Sequence, residues 1–354
     1  MRVVAAAVFL VGIFILSAVS SKAENKIIYG EDDRVEYYQV PEKFRAASDS
    51  IVSIWMKDQV AQSTADGDYV LSAPPIMEKQ NLCPGVRFRE QPSGPFCSGT
   101  LVGEDLVLTA GHCIKSKASC QNRAFVFGYA LRAAGEPVTL RAGADDVYYC
   151  SKIVKLMFEK TTVPNSDGQP QTIYGQDFAL IKLDRKVIGR QPLAVNRAGG
   201  ISEGAPVVSM GYPLGLPLKF SQTGTVFKPV DNGNAYFTTN LDTFGGNSGS
   251  PVFNAVTGLM EGVAVRADND HFLTTSEGCQ VYVVKPQTSG TGVIVNKLDL
   301  LLNDIPAAPE EAAAGVTLDG TSRLEFPEEV TVGAALDAAN HLGDPTQIDI
   351  NFDF

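Results

Sequence analysis

The chain has 354 residues, 44% of them hydrophobic, and its 29 Lys plus Arg against 40 Asp plus Glu leave a net charge of −11. That balance argues against a nucleic-acid binder, because phosphate contacts need clustered cations, and otherwise speaks only for solubility. With three His and no CxxC pair among six cysteines, the composition also argues against a zinc site.

In chain order, Met1-Arg2 precedes a nearly unbroken apolar run over 3–19, and Ser21-Lys22-Ala23 supplies a small-x-small cleavage site. Residues 1–23 therefore read as a secretory signal; the alternative is an uncleaved membrane anchor, since the run approaches spanning length. Export implies an oxidising compartment, periplasmic or extracellular, so Cys83, Cys97, Cys113, Cys120, Cys150 and Cys279 are expected to form up to three disulfides. Residues 24–69 are set apart as a pro-segment or an arm. Within them, 26–42 is polar and aromatic around Glu31-Asp32-Asp33-Arg34, and 44–56, with Ile51, Val52, Ile54 and Trp55, fits a helix or a strand equally.

From Cys97 onward the pattern changes to short β-rich runs separated by Gly, Pro and Asn, at 99–102, 106–109, 124–127, 147–149, 178–183, 207–211, 224–226, 235–238, 252–253, 262–266 and 281–284. Many short strands at turn-rich spacing indicate an all-β barrel or sandwich. Residues 293–302, with Asn296 and Asp299 interspersed, read as a terminal helix, 306–315 as a linker, and 316–354 as an acidic segment that either forms a small appendage or stays unstructured.

Three motifs carry chemistry: Thr109-Ala110-Gly111-His112-Cys113, Asp177-Phe178-Ala179-Leu180-Ile181 and Gly245-Gly246-Asn247-Ser248-Gly249-Ser250-Pro251. A serine hydroxyl attacks an amide at neutral pH only when a base takes its proton, the base is held in the right tautomer, and prepositioned donors catch the oxyanion. Residues 97–113 read as two strands and a turn that deliver His112 at a strand end, and a Cys97–Cys113 disulfide would fasten the strand to that turn. Each motif alone has a bland reading. A lone GxSxG is common, a His beside a Cys is usually structural, and Asp177 taken alone is a turn residue, with Asp145 or Asp146 as substitutes. Jointly, in the order His, Asp, Ser, they point to a hydrolytic site.

On these residues the chain resembles the chymotrypsin-like (trypsin-like) serine proteases, and most of all the bacterial branch that includes the glutamyl endopeptidases. The resemblance covers about 70–305 and is strong at the three motifs. It implies two six-stranded antiparallel β-barrels, here with a short C-terminal helix and an acidic tail. It also implies a secreted serine endopeptidase acting on protein or peptide substrates through an acyl-enzyme. His112 would be the general base, Asp177 would accept its other N–H, Ser248 would be the nucleophile, and the N–H groups of Gly246 and Ser248 would form the oxyanion hole. The chain order excludes the subtilisin and α/β-hydrolase arrangements.

Asn247 departs from the animal enzymes, where an Asp before the nucleophile pairs with a newly cut N-terminus; an amide cannot make that ion pair, although 24–49 as an inhibitory pro-segment stays open. By the same resemblance Asp242, six places before Ser248, lies at the base of the pocket for the side chain preceding the cut and favours Arg or Lys. Thr243 and the strand Val263, Ala264, Val265 and Arg266 would line that pocket. Arg266 would either pair with Asp242 or favour an acidic side chain itself, and Ala264 stands where glutamyl endopeptidases usually carry a His. The four remaining cysteines allow three pairings, of which Cys120–Cys150 with Cys83–Cys279 is preferred. No cofactor or metal is implied, and a monomer free of the membrane after signal removal is expected. The competing readings are a catalytically silent protease-like domain used for binding or adhesion, and a tail at 316–354 that anchors or targets the protein.

Overall fold

The computed structural model describes residues 28–228, 235–267 and 272–308. The signal at 1–23, most of the linker and the acidic segment at 316–354 lie outside the described residues.

Two rings of antiparallel strands form the body. The first is a closed barrel in the order Val147–Pro164, Pro170–Leu183, Leu106–Thr109, Cys97–Gly103, Ile51–Met56 and Arg123–Phe127, which returns to Val147–Pro164. The second runs Pro206–Gly211, Pro251–Asn254, Met260–Arg266, Val293–Lys297, Tyr236–Thr239 and Lys219–Lys228, and the last of these pairs back onto the first. The fold is thus mostly β, as the short strands indicate, and has the two-barrel architecture that the resemblance implies.

Within each ring, alternation directs one set of side chains inward. Val207, Val226, Phe237, Leu241, Val252, Val293 and Val295 fill the second barrel, and each such buried side chain contributes about 1.5–3 kcal/mol relative to exposure.

The segment 44–56 resolves into both alternatives in succession. Pro41, with its fixed φ, starts a short helix at Glu42–Ser48, where Glu42 and Arg45 pair at i,i+3. The β-branched run Ile51, Val52 and Ile54 then forms a fully buried strand between Cys97–Gly103 and Arg123–Phe127. The first barrel therefore takes in residues on the N-terminal side of the boundary set at 70.

The expected C-terminal helix is a correction. Val293–Lys297 is a strand that closes the second ring between Tyr236–Thr239 and Met260–Arg266, and the chain then leaves through turns such as Leu301 N to Leu298 O at 2.7 Å. Three consecutive β-branched residues, Val293, Ile294 and Val295, prefer the pleated sheet over a helix, and the spacing of Asn296 and Asp299 that suggested helical faces belongs to a strand end and a turn.

The N-terminal stretch is a packed arm from Ile28 onward. Ile28–Tyr29 pairs in parallel with Val284–Lys285, and Val35–Glu36 pairs with Lys219–Phe220 on the second barrel. Glu36 Oε2 accepts from the buried Lys219 Nζ at 2.9 Å. The ammonium also donates to Gln91 Oε1 and Pro217 O, so its donors are used as burial of a charge requires; desolvation nevertheless brings it down to about 8. Among the described residues no helix is long and apolar enough to cross a membrane.

Trp55, the sole tryptophan, is buried with its Nε1–H donating to Ser53 Oγ at 2.8 Å and its ring edge-on to Tyr129 at 5.1 Å. Gly94 lies flat against it, and a Cβ there would come within 1.9 Å of Trp55 Cζ3. Gly94→Ala is therefore expected to lower stability by about 1–3 kcal/mol through overpacking and to shift Trp55 fluorescence to longer wavelength, measured by urea titration of emission. An unchanged midpoint and spectrum would refute this packing.

Candidate active site

Strand Leu106–Thr109 ends at Ala110 in extended conformation, and one helical turn, Gly111–Ile114, follows at once. Glycine is required at its start because a Cβ on Gly111 would stand 2.0 Å from Met157 O. This close seating turns His112 toward strand Pro170–Leu183, where Asp177 lies opposite Phe158. His112 N donates to Asp177 Oδ1 at 2.9 Å, and His112 Nδ1 lies 2.8 Å from Asp177 Oδ2. With the carboxylate facing it, Nδ1 carries the proton and Nε2 is left as the acceptor.

Asp177 is fully buried and has two further partners. Its own N–H donates to Asn296 Oδ1 at 2.8 Å, and Arg266 Nη1 donates to Oδ2 at 2.9 Å. Burial works to raise the carboxyl, yet the hydrogen bonds and charge of His112, joined by Arg266, hold it below the usual carboxylate range. Asp145 is exposed and Asp146 bonds Arg190 at 2.5 Å, so neither substitutes for Asp177. Sequence reasoning missed Asn296, which reads as one polar residue in an apolar run.

Ser248 sits on the loop that joins Tyr236–Thr239 to Pro251–Asn254 of the second barrel, and that loop is docked on the first. Ser98 N donates to Ser248 O at 2.8 Å, Ser98 Oγ donates to Gly246 O at 2.8 Å, and Cys113 Sγ lies 3.7 Å from Ser248 O. The residue after His112 therefore touches the backbone of Ser248. Gly246 and Gly249 adopt φ of +98° and +92°, where an added Cβ would meet Tyr212 O at 2.3 Å and Ser98 O at 2.0 Å. These are conformations glycine alone takes without strain. On the far side, Gly249 N donates to Ala264 O at 2.8 Å and Ala264 N donates to Ser250 O at 2.9 Å, which ties strand Met260–Arg266 to the loop.

The predicted pocket residues separate into different roles. Thr243, Val263, Ala264 and Val265 are buried beside the loop. Among the described residues Arg266 bonds Asp177 and not Asp242, its Nη1 donating to Asp177 Oδ2 at 2.9 Å. Asp242, almost fully buried, is held by the arm. Oδ1 accepts from Tyr29 N at 2.7 Å and Oδ2 from Asp33 N at 3.1 Å. Burial first, then the neighbouring Asp33 carboxylate, push it up to about 7.

Arg34, the centre of the charged run in the arm, is also buried. It pairs with Asp32 at 2.7 Å, and its guanidinium lies over Phe244 at 4.4 Å and Tyr282 at 4.9 Å. A run of four charged residues gives no sequence signal of such burial.

The three disulfides are Cys83–Cys279, Cys97–Cys113 and Cys120–Cys150, the pairing preferred from sequence. Cys97, His112 and Cys113 cluster closely, but both sulfurs are consumed in one disulfide and supply no thiolate for a metal.

Residues 97–263 match a family model described as a trypsin-like peptidase domain. Among curated proteins, human ubiquitin carboxyl-terminal hydrolase 24 is 35% identical over 83 residues, which is 23% of this chain and 3% of that protein, so the chain spans a small fraction of that relative's length. Among solved structures, a Glu endopeptidase is similar with 17% identity over 79% of this chain and 97% of its own, at a TM-score of 0.41. The VesB protease of Vibrio cholerae has 14% identity over 78% of this chain and 65% of its own, at a TM-score of 0.42.

The environment of Asp242 has a pH consequence. Its folded value, about 7, lies above its ordinary 3.8, so the stability it contributes is full below about pH 4 and is lost as pH rises through about 7. From pH 5 to pH 8 the loss is about 3 kcal/mol at 1.36 kcal/mol per unit. The thermal midpoint is expected to fall over this range, and Asp242→Asn to flatten the fall. A native chain whose midpoint rises or stays level between these pH values would contradict the assignment.

Proposed function

We propose that this chain, whose residues 97–263 match a trypsin-like peptidase domain, is an exported serine endopeptidase that cleaves protein substrates with His112, Asp177 and Ser248 as its catalytic triad. The observation that carries the triad is the pair of hydrogen bonds from His112 to Asp177, through its backbone N–H and through Nδ1.

That pair fixes both the orientation and the tautomer of the imidazole. Nε2 takes the proton of Ser248 Oγ as the oxygen attacks the substrate carbonyl. The tetrahedral oxyanion is received by the N–H groups of Gly246 and Ser248, whose loop is held open by positive φ at Gly246. His112, now an imidazolium stabilised by Asp177, returns the proton to the leaving amine, and water repeats the cycle on the acyl-enzyme. Export is supported by the apolar run at 3–19 with its small-x-small site and by three disulfides, which persist in oxidising compartments.

The preference for Arg or Lys before the cut rests on Asp242 alone. Both of its oxygens already accept from arm N–H groups, so a substrate cation offsets less desolvation there than at a bare carboxylate. Side-chain selection is therefore assigned to the pocket walls rather than to Asp242. Cuts after Arg or Lys that vanish in Asp242→Asn would restore the basic pocket.

A fluorophosphonate is expected to label the full chain from Glu24 onward, and Ser248→Ala to abolish labelling with the fold intact by circular dichroism. Asp177→Asn should slow turnover by about 10⁴-fold through the wrong imidazole tautomer. A folded chain that does not react, before or after limited proteolysis, would be a silent binding domain instead.

A further inference from the structure

Arg266 has no part in the mechanism above, yet it is almost fully buried and shares an oxygen with the base. Its Nη1 donates to Asp177 Oδ2 at 2.9 Å, the same oxygen that lies 2.8 Å from His112 Nδ1. Its Nη2 donates to Gly175 O at 3.3 Å, and its guanidinium covers the Tyr174 ring at 4.5 Å. Gly175 and Tyr174 lie two and three residues before Asp177 on strand Pro170–Leu183. One planar group thus clamps the first-barrel segment that presents Asp177 and supplies its counter-ion from the second barrel. The two-pronged geometry suits a guanidinium and is beyond an ammonium, which is a point charge.

We propose that Arg266 is a positioning residue for the base, keeping Asp177 ionised and aimed at His112, and that it sets the acid edge of activity. The inference rests on the triad reading above. A guanidinium stays charged throughout the accessible pH range, so Arg266 is a permanent cation beside a carboxylate with no exposure. The other groups facing Asp177 do not replace it. From the helix Gly111–Ile114 comes His112; from Val147–Pro164 come Glu159, which accepts from Gln176 N at 2.9 Å, and Lys160, whose Nζ lies 5.9 Å from the Tyr174 ring. From Val293–Lys297 comes the neutral Asn296.

The sign is fixed by linkage. A carboxyl held below its ordinary value loses its ionised form as pH falls through that lowered value. Removing the cation raises the value, so the loss begins at higher pH.

The test is the rate of fluorophosphonate labelling of Ser248 from about pH 2 to about pH 9 in the full chain, in Arg266→Met and in Arg266→Lys. In Arg266→Met the half-maximal rate is expected to move up by about one pH unit, which is about tenfold slower labelling on the acid side. Arg266→Lys, which restores the charge without the second prong, should move by less than half as much. A purely structural residue would lower the melting temperature of both variants and leave the edge in place. A folded Arg266→Met with an unmoved edge, or a Lys variant shifted as far as Met, overturns the inference while the triad stands.

Absence of any Ser248-dependent labelling in the native chain overturns the triad reading instead. The coupling is then read from acid unfolding of the same three proteins. A higher-pH midpoint in Arg266→Met supports it, and equal midpoints refute it.

Discussion

A carboxylate with no access to water organises this molecule. Asp177 has to find partners for a full negative charge inside the protein, because leaving such a charge uncompensated costs several kcal/mol. Its carboxylate finds them in His112 from the turn after Leu106–Thr109 and Arg266 from the end of Met260–Arg266, while its backbone N–H donates to Asn296 Oδ1 on the strand that closes the second ring. Two of these three residues belong to the other barrel. The same bonds that orient the imidazole therefore also fix one barrel against the other, and site geometry and domain geometry are one constraint.

A second contact completes that constraint from the opposite direction. Ser98, on the first barrel, binds the carbonyls of Gly246 and Ser248 through its Oγ and its N–H, and the Cys97–Cys113 disulfide fastens the residue before Ser98 to the residue after His112. The Ser248 loop is thus held by the strand that is covalently tied to the turn carrying His112. This explains the letter-by-letter demands of the two motifs. Gly111, Gly246 and Gly249 are each pressed against a backbone carbonyl at a distance no Cβ tolerates, so the glycines follow from close approach and not from loop flexibility.

The fold class, the three motifs and most strands were legible because each rests on local signals: alternation, turn residues and short contiguous patterns. The helix assigned to 293–302 failed because a short apolar run carries no decisive period, and what makes Val293–Lys297 a strand is the pair of neighbours on either side. The start of the barrel at Ile51 was undecidable for the same reason. The partners of Arg266 and Asp242 were beyond reach for a different reason. Arg266 and Asp177 are 89 residues apart, Asp242 and Tyr29 are 213 apart, and no spacing rule connects a buried charge with a counter-group contributed by the far end of the chain. The disulfides fell between these cases, since three pairings of four cysteines are few enough to rank.

The two buried aspartates that define the two ends of this argument show why residue type alone does not assign a role. Asp177 faces an imidazole and a guanidinium, and its charge is kept. Asp242 faces backbone N–H groups and a second carboxylate, and burial takes it to about 7. Backbone donors can orient a carboxyl without neutralising the repulsion from Asp33, whereas a cation does both. The first environment holds an anion between an imidazole and a guanidinium. The second makes the arm from Tyr29 to Asp33 a structural partner of the residue that the resemblance places beneath the substrate. Environment pushing like groups apart is how one fold separates a charge used in chemistry from a charge used in assembly, and here the separation follows the arm and Arg266, the two features least visible in the sequence.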